Sequence, residues 1–450
     1  GGGIGGLTLA VALANVHDIQ VDMYEAAQQF NEIGAGVGMW FRTWKIMKTL
    51  GLKEDLTNIA VTPPDERKIF EFRKAGEAVG QSFHDLVVPF GVLFMHRADF
   101  QQVLAKRINA ECTHFSRRLV NYTYRLSLRG KEIVLHFSDG SQATCDILVG
   151  ADGIKSATRS VMLSCPGEDK CNAATAGRQN SPHTDSQSEI PKGNVVWSGS
   201  VAYRHLISPD ELSRRFPGHR ALRSPVQYVG KNKNVIVYPV SQGRAINLVA
   251  YVYDPGQKGA LFSDPWVTPV LAAELLAHFD GWEPELIALL ELAKNPSRWA
   301  VHTLQPLTSY VAPQVAFLGD AAHAMMPHLG SGGGQAVEDA YVLAALLAHP
   351  HATRSTIPQI LRSYDAVRVP LSQRIATNSR LIGEAYHFNS SDEAGGDEPP
   401  SGVGQASGDR LESLAVMIEE KHKELWDCDA CYQSTTATEL FEGFLKAAAV

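Results

Sequence analysis

The chain has 450 residues, 44% of them hydrophobic, with 41 basic against 48 acidic side chains for a net charge of −7. The apolar content is near the globular average, which excludes a wholly disordered chain, and the length allows two to four domains or one large composite fold. A mildly acidic chain is a poor general binder of nucleic acid or anionic membrane, and no apolar run reaches the roughly 18–20 residues of a membrane helix.

The chain opens Gly1-Gly2-Gly3-Ile4-Gly5-Gly6, in which Gly1, Gly3 and Gly6 fit GxGxxG. In that pattern the first glycine permits a tight turn, the second lets backbone approach a pyrophosphate, and the third lets helix and strand pack closely. Leu7 to Val16, free of Pro and Gly and rich in Ala and Leu, predicts a buried helix whose N-terminus offers N–H groups to phosphate. Ile19 to Tyr24 alternates like a strand and is closed by Glu25, 19 residues after Gly6, where a carboxylate can accept from a ribose diol. A parallel sheet of this type has a strand before the first glycine; the sequence starts at Gly1 without a methionine, and that strand is expected to belong to the natural protein.

Residues 98–110 predict a helix with Asp99 in its first turn, and 117–149 alternate like strands. The apolar run Cys145–Gly150 leads into Ala151-Asp152-Gly153, then Ile154-Lys155-Ser156-Ala157-Thr158-Arg159. Gly153 allows positive φ and Asp152 can take backbone N–H groups, although a plain strand–turn–helix corner reads the same way. Residues 166–193 are polar and aperiodic, which predicts a surface insertion or mobile loop. From Val195 to Tyr253 short β-branched and aromatic runs predict an antiparallel sheet, broken at Gly230–Lys233 and Ser241–Gly243.

Residues 268–294 predict helix, and 315–318 a short strand delivering Gly319-Asp320 to a polar edge. Pro327, Gly330, Gly332, Gly333 and Gly334 then open a helix over 334–348 that carries Glu338 and Asp339, a second Gly-rich loop at a helix N-terminus. A long helix is predicted over 355–388, a linker over 389–409, and terminal helices over 410–427 and 437–448.

These three glycine-cornered motifs, in this order, resemble the single-component flavoprotein aromatic hydroxylases, and among them the fungal salicylate hydroxylases; the resemblance covers about residues 1–388. It implies an α/β (α+β) fold: a Rossmann-like FAD-binding domain over 1–165 and 301–388, an interleaved antiparallel-sheet substrate domain over 194–300, the insertion 166–193, and a linker and C-terminal tail over 389–450. It also implies FAD held by Gly1, Gly3, Gly6 and Glu25, with Arg42 and Arg97 near the cofactor, Asp320 on the ribityl chain, and Asp152-Gly153 serving both FAD and NADH or NADPH. Pro327, Gly330, Gly332 and Gly333 would line the flavin. As isolated residues, Arg42 and Arg97 also fit ordinary salt bridges. The three turns should surround one dinucleotide.

In similar enzymes NAD(P)H reduces the flavin, which then uses O₂ to transfer OH to an activated phenol. The cofactor carries this chemistry, and the protein supplies orientation, electrostatics and water exclusion. On the 195–253 sheet, Arg204 is the candidate partner of a substrate carboxylate or phenolate and Tyr238 a second catalytic candidate; an exposed sheet arginine and a core tyrosine are the plainer readings. Strand alternation turns Tyr203 and His205 to the face opposite Arg204. His323, His328 and His302 lack metal-site spacing, so no metal is expected. Six cysteines, with a single CxxC at Cys428 and Cys431, fit reduced thiols and a cytoplasmic location without a signal peptide. The expected partners are a small aromatic substrate and O₂, with no nucleic acid and no membrane span, in a monomer or homodimer. Three other readings fit part of the sequence: a flavin hydroxylase or epoxidase of a larger secondary metabolite, an NAD(P)-dependent dehydrogenase without flavin, and a non-catalytic FAD-binding protein.

Overall fold

The computed structural model describes residues 1–30, 36–61, 68–128, 130–164, 195–389, 405–426 and 430–448. The 166–193 insertion, most of the 389–409 linker, and Cys165, Cys171 and Cys428 lie outside the described residues. Cys112, Cys145 and Cys431 take part in no disulfide among the described residues.

The molecule has two halves. In the first, short parallel pairs join Met23–Tyr24 to Thr113–His114 and Leu148–Gly150 to Val315–Phe317. The second pair brings two motifs far apart in sequence to one sheet end: Gly150 leads into Asp152-Gly153 while its partner Phe317 leads into Gly319-Asp320. Helices Ile4–Leu13 and Gly332–Leu347 pack on each other beside these strands. The first helix begins three residues earlier than its composition predicts and takes in Gly5 and Gly6. Packing explains the earlier start: a Cβ at Gly5 would come within 2.5 Å of Leu318, and one at Gly6 would run into the Gly1 carbonyl.

The second half is an eight-stranded sheet with strands in the order 267–269, 297–304, 195–207, 245–253, 233–240, 226–230, 68–74, 81–87. All neighbours are antiparallel except Val226–Gly230 with Lys68–Lys74. The sheet is therefore wider than the predicted 194–300 domain, because residues 68–87 leave the first half to extend its edge. One sheet face packs on the helices Ala272–Ala277 and Pro284–Leu290 through Tyr203, Val235, Val237, Leu248 and Ala250. Within 268–294 the predicted helix is broken, with Val267–Pro269 a strand and Gly281 at positive φ between the two helices. The other sheet face turns toward the first half.

The Ile357–Tyr386 helix runs through Pro370 and packs on Gly332–Leu347. The terminal segment is structural. The helix Ala430–Ala448 packs against both of these, and its Gln433 is buried among them.

Candidate active site

The three glycine-cornered turns meet. A Cβ on Gly1 would run into the Ala151 carbonyl, one on Gly6 would lie 3.3 Å from Ala151, and one on Gly319 would lie 3.1 Å from Ala336 at the start of the Gly332–Leu347 helix. At Gly3, Gly153 and Gly332 a Cβ would meet nothing within 4 Å. Gly3 therefore faces open space where a dinucleotide would pass, and its φ of −74° is open to any residue. Glu25 accepts the Gly2 N–H at 2.6 Å and the Ala27 N–H at 2.8 Å, which pins the carboxylate beside the turn. Gln101, on the helix Arg97–Ala105, supports the same turn by donating to the Gly2 carbonyl at 2.8 Å. Arg97 opens that helix, half-buried.

Asp152 Oδ2 accepts from both the Thr158 N–H and hydroxyl, at 3.0 and 2.9 Å, while its Oδ1 is shielded from water and without a partner. Gly153 takes φ of +72°. Arg159, fully buried, donates to the Ala321 carbonyl at 2.8 Å and to the Ile154 carbonyl at 2.5 Å. Burial lowers its pKa, and Asp152 and Asp320 on either side oppose that. Arg159 thus ties the Asp152 turn to the Gly319-Asp320 turn. The sequence signal was its place six residues after Gly153, closing the segment that follows the turn.

Gly319, at φ of +60°, donates its N–H to Asp339 at 2.8 Å. His323 bonds the same oxygen at 2.6 Å, and Arg368 Nε donates to the other oxygen at 2.7 Å. Burial pushes the Asp339 pKa up, but His323 and Arg368 outweigh it and hold the carboxyl down at about 2. Arg368 also reaches Glu338 at 3.1 Å, Gln335 at 2.8 Å and Gln433.

Arg42 takes the salt-bridge reading that stood beside its cofactor expectation. It is 2% exposed, its guanidinium pairs with Glu338 through Nε at 2.6 Å and Nη2 at 2.7 Å, and it donates to the Glu424 carbonyl at 3.0 Å. A guanidinium held by a buried carboxylate is committed to that charge, so Arg42 acts behind the loop. Asp320 stays exposed at the strand end. Pro327–Leu329 forms a tight turn, and Gly330 follows at φ of +58°. Trp40 Nε1 donates to the Leu329 carbonyl at 3.0 Å, and Ser379 bonds both Met326 O and Leu329 N. Gly333 packs near Ile4, and Gly332 opens the helix.

Register places Ala202, Arg204, Tyr238, Asn247, Val249, Tyr251 and Trp299 on the sheet face toward these loops. The loops touch that face directly. Gly36 lies so close to Tyr238 that any Cβ would enter its ring, and Tyr251 packs on His328 with centroids 5.0 Å apart. Arg204 lies over the Trp299 ring at 4.6 Å, with its Nε shielded and without a partner. Burial, with some help from Tyr251, raises the Tyr238 pKa against the effect of Arg204, so its hydroxyl is a neutral donor. Burial holds His328 down at about 4, hence neutral, and its Nε2 is also without a partner. Tyr203 points the other way and bonds Glu274 at 2.9 Å and His278 at 3.1 Å. His302 stacks on Trp266 at 3.7 Å, apart from this face. Among the described residues no group of three His, Cys, Asp or Glu side chains is placed to hold a metal, and no helix is long and apolar enough to cross a membrane.

The residues present fit FAD. The open approach at Gly3 and the orphaned Asp152 Oδ1 lie along one line of turns, and the pinned Glu25 stands beside the first of them. Comparisons with known proteins agree. Residues 288–379 match the family "FAD binding domain". A salicylate hydroxylase of Pseudomonas putida is 34% identical over 398 residues, covering 86% of this chain and 85% of that protein. An FAD-dependent monooxygenase of Strobilurus tenacellus is 33% identical, covering 85% and 87%. A 6-methylsalicylate 1-monooxygenase of Aspergillus terreus is 32% identical, covering 86% and 82%. Among solved structures, a salicylate hydroxylase substrate complex superposes with a TM-score of 0.78 at 31% identity, covering 97% of this chain and 96% of that one. These relationships exclude the flavin-free dehydrogenase and the non-catalytic reading, and the chain belongs to the salicylate hydroxylase family of FAD-dependent, NAD(P)H-using monooxygenases.

Proposed function

We propose that the enzyme hydroxylates a small phenolic acid, with salicylate or a ring-substituted salicylate as the type substrate and catechol formation with loss of CO₂ as the outcome. The observation that carries this reading is the single sheet face on which Arg204, Tyr238 and Asn247 turn toward the Gly36 and Pro327–Leu329 loops. Relatives named for salicylate and 6-methylsalicylate support it. A larger secondary-metabolite substrate is the second reading, favoured by the monooxygenase of Strobilurus tenacellus.

Bound FAD supplies the redox chemistry: it takes two electrons from NADH or NADPH and uses O₂ to deliver one oxygen atom to the ring, the other leaving as water. The chain's own work is to bind and orient the ring. Arg204 offers a permanent positive charge to the substrate carboxylate or phenolate, and Trp299 keeps that charge in place. A nearby cation favours the ionised phenol, which is the electron-rich form that reacts. Tyr238, held neutral by burial, donates a hydrogen bond and does not serve as an anionic base. Glu25, Asp152 and Asp320 would hold the ribose and ribityl hydroxyls, and Gly1, Gly3 and Gly6 the pyrophosphate, as a line of close backbone. The buried aromatic packing of Trp40, Phe94 and Tyr238 keeps water from the ring side.

The test is the visible spectrum of the purified protein, followed by NADH oxidation with and without salicylate. The reading expects a flavin spectrum, salicylate-stimulated NADH loss, and catechol in the product. NADH loss that no phenolic acid in a panel stimulates would shift the assignment to the larger-substrate reading.

A further inference from the structure

We propose that Asn247 is a specificity-determining residue, donating from Nδ2 to an oxygen of the aromatic substrate beside the one that Arg204 holds. The inference deepens the proposed function and rests on it.

Asn247 lies within the strand Ala245–Tyr253, 2% exposed, opposite Tyr238 and diagonal to Arg204 on the same face. Its Oδ1 accepts the Gly36 N–H at 3.1 Å. Only the amide oxygen can answer a backbone N–H, so this bond fixes the flip of the amide and turns its NH₂ away from Gly36. That NH₂ is buried and finds no acceptor. Buried donors in folded proteins are nearly always paired, and an orphan on a ligand-facing surface marks where an acceptor of the ligand sits.

Arg204 shares the property, with a shielded Nε that also lacks a partner. Around these two the same face presents Ile236, Val249, Tyr238 and Tyr251, which are aliphatic or aromatic walls, and its further amides, Asn234 and Gln227, are bonded to each other, with Asn234 also bonded to His387. Two fixed donor groups, close together on an apolar wall, complement a flat ring with two adjacent acceptor oxygens. An aromatic acid with an ortho hydroxyl has that pattern: the carboxylate meets the guanidinium and the phenolic oxygen meets the amide. Asn247 does not titrate, so it takes no proton. It stabilises charge on the phenolic oxygen from a preset position. A substrate without the second oxygen leaves the NH₂ orphaned, and a site built to hydrogen-bond rejects such an analogue.

The experiment uses the full-length FAD-loaded protein and two variants. Asn247→Asp keeps size and the oxygen facing Gly36 but replaces the donor by an acceptor; Asn247→Leu removes both. Salicylate, benzoate and phenol are titrated against each protein by the change in flavin absorbance, with FAD content and melting temperature as folding checks and KM and kcat from NADH loss. In the wild type, salicylate is expected to bind roughly tenfold or more tighter than benzoate, and both variants to lose roughly tenfold or more of salicylate affinity; Asn247→Leu keeps benzoate affinity within about threefold, whereas the new carboxylate of Asn247→Asp, beside Arg204, weakens both acids. KM should rise more than kcat falls. Variants that keep FAD and bind salicylate within about twofold of wild type overturn the proposal, as does equal weakening of benzoate and salicylate by Asn247→Leu. The wild-type ratio reads the same contact without any substitution, so poor folding of a variant does not shelter the idea. A wild type that binds none of the three ligands removes the substrate reading and this one together; binding by wild type with unaffected variants removes only the role of Asn247.

Discussion

Arg368 donates from Nε to Asp339 at 2.7 Å with neither residue exposed, and the opposite oxygen of Asp339 takes the Gly319 N–H. The long helix therefore holds the positive-φ glycine of the Gly319-Asp320 turn through one carboxylate. Removing one member of a buried, hydrogen-bonded pair leaves an uncompensated charge, at a cost of about 3–5 kcal/mol. Arg368→Met is expected to lower the unfolding free energy by that amount, seen as a lower urea midpoint at unchanged m-value, and to reduce the FAD content. A variant as stable as wild type would show that the network is not what fixes the loop.

The glycines of the first turn separate two effects. Gly6→Ala puts a methyl group into the Gly1 carbonyl, so it should destabilise the apoprotein by about 1–3 kcal/mol. Gly3→Ala meets nothing within 4 Å and has an unstrained backbone, so the apoprotein should melt within about 2 °C of wild type. Its FAD affinity should nevertheless fall roughly tenfold or more, because the new methyl lies where backbone must approach pyrophosphate. Thermal melts of apoprotein together with flavin titration check both.

Strand alternation makes a sharp contrast between adjacent residues. Arg204→Leu is expected to raise KM for a phenolic acid by roughly a hundredfold, since a charge-assisted contact is lost. Tyr203→Phe, on the opposite face and bonded to Glu274 and His278, should change KM by less than about twofold and cost about 1 kcal/mol of stability. Steady-state kinetics beside urea unfolding distinguishes the two. A Tyr203→Phe protein with normal stability and a large KM defect would mean that the face assignment is inverted.

Stability should fall in acid in two stages. Burial holds His422 and His328 down at about 4 from the ordinary 6.5. The unfolded chain takes up these protons near 6.5 and the folded chain only near 4, so stability is full above 6.5 and drains away as pH falls between those values. Asp339, at about 2 against an ordinary 3.8, adds a further loss as pH falls from about 4 to about 2. His422→Phe keeps the ring contact with Trp40 and should remove on the order of 3 kcal/mol of the first stage. An unchanged slope between pH 6.5 and 4 in that variant would exclude His422 as a source.

The sequence made the glycine turns legible because each glycine answers a local demand: a close neighbour at Gly1, Gly5 and Gly6, a positive φ at Gly153, Gly319 and Gly330. Arg204 and Tyr203 could be sorted by face because a strand alternates whatever surrounds it. The supports of the site were not legible in the same way. Arg368, Glu338 and Asp339 look like ordinary charges on amphipathic helices, and only the packing of three helices buries them together. Arg42 carried the signal of a cofactor arginine, and Glu338, nearly 300 residues away, takes that charge instead. Asn247 is one polar residue in an apolar strand, and its meaning depends on Gly36 across the two halves. The sheet's extra edge was missed for a similar reason, since Lys68–Lys74 pairs in parallel with a strand some 150 residues later.

Gln433 reaches Arg368 and Glu338 from the last helix, and the Glu424 carbonyl holds Arg42. Support for the Gly319-Asp320 turn is therefore written more than a hundred residues after the turn itself. While the chain is being made, Gly319 and Asp339 leave the ribosome well before Gln433 does. The nascent protein should stay unable to grip its flavin until Gln433 has emerged and docked.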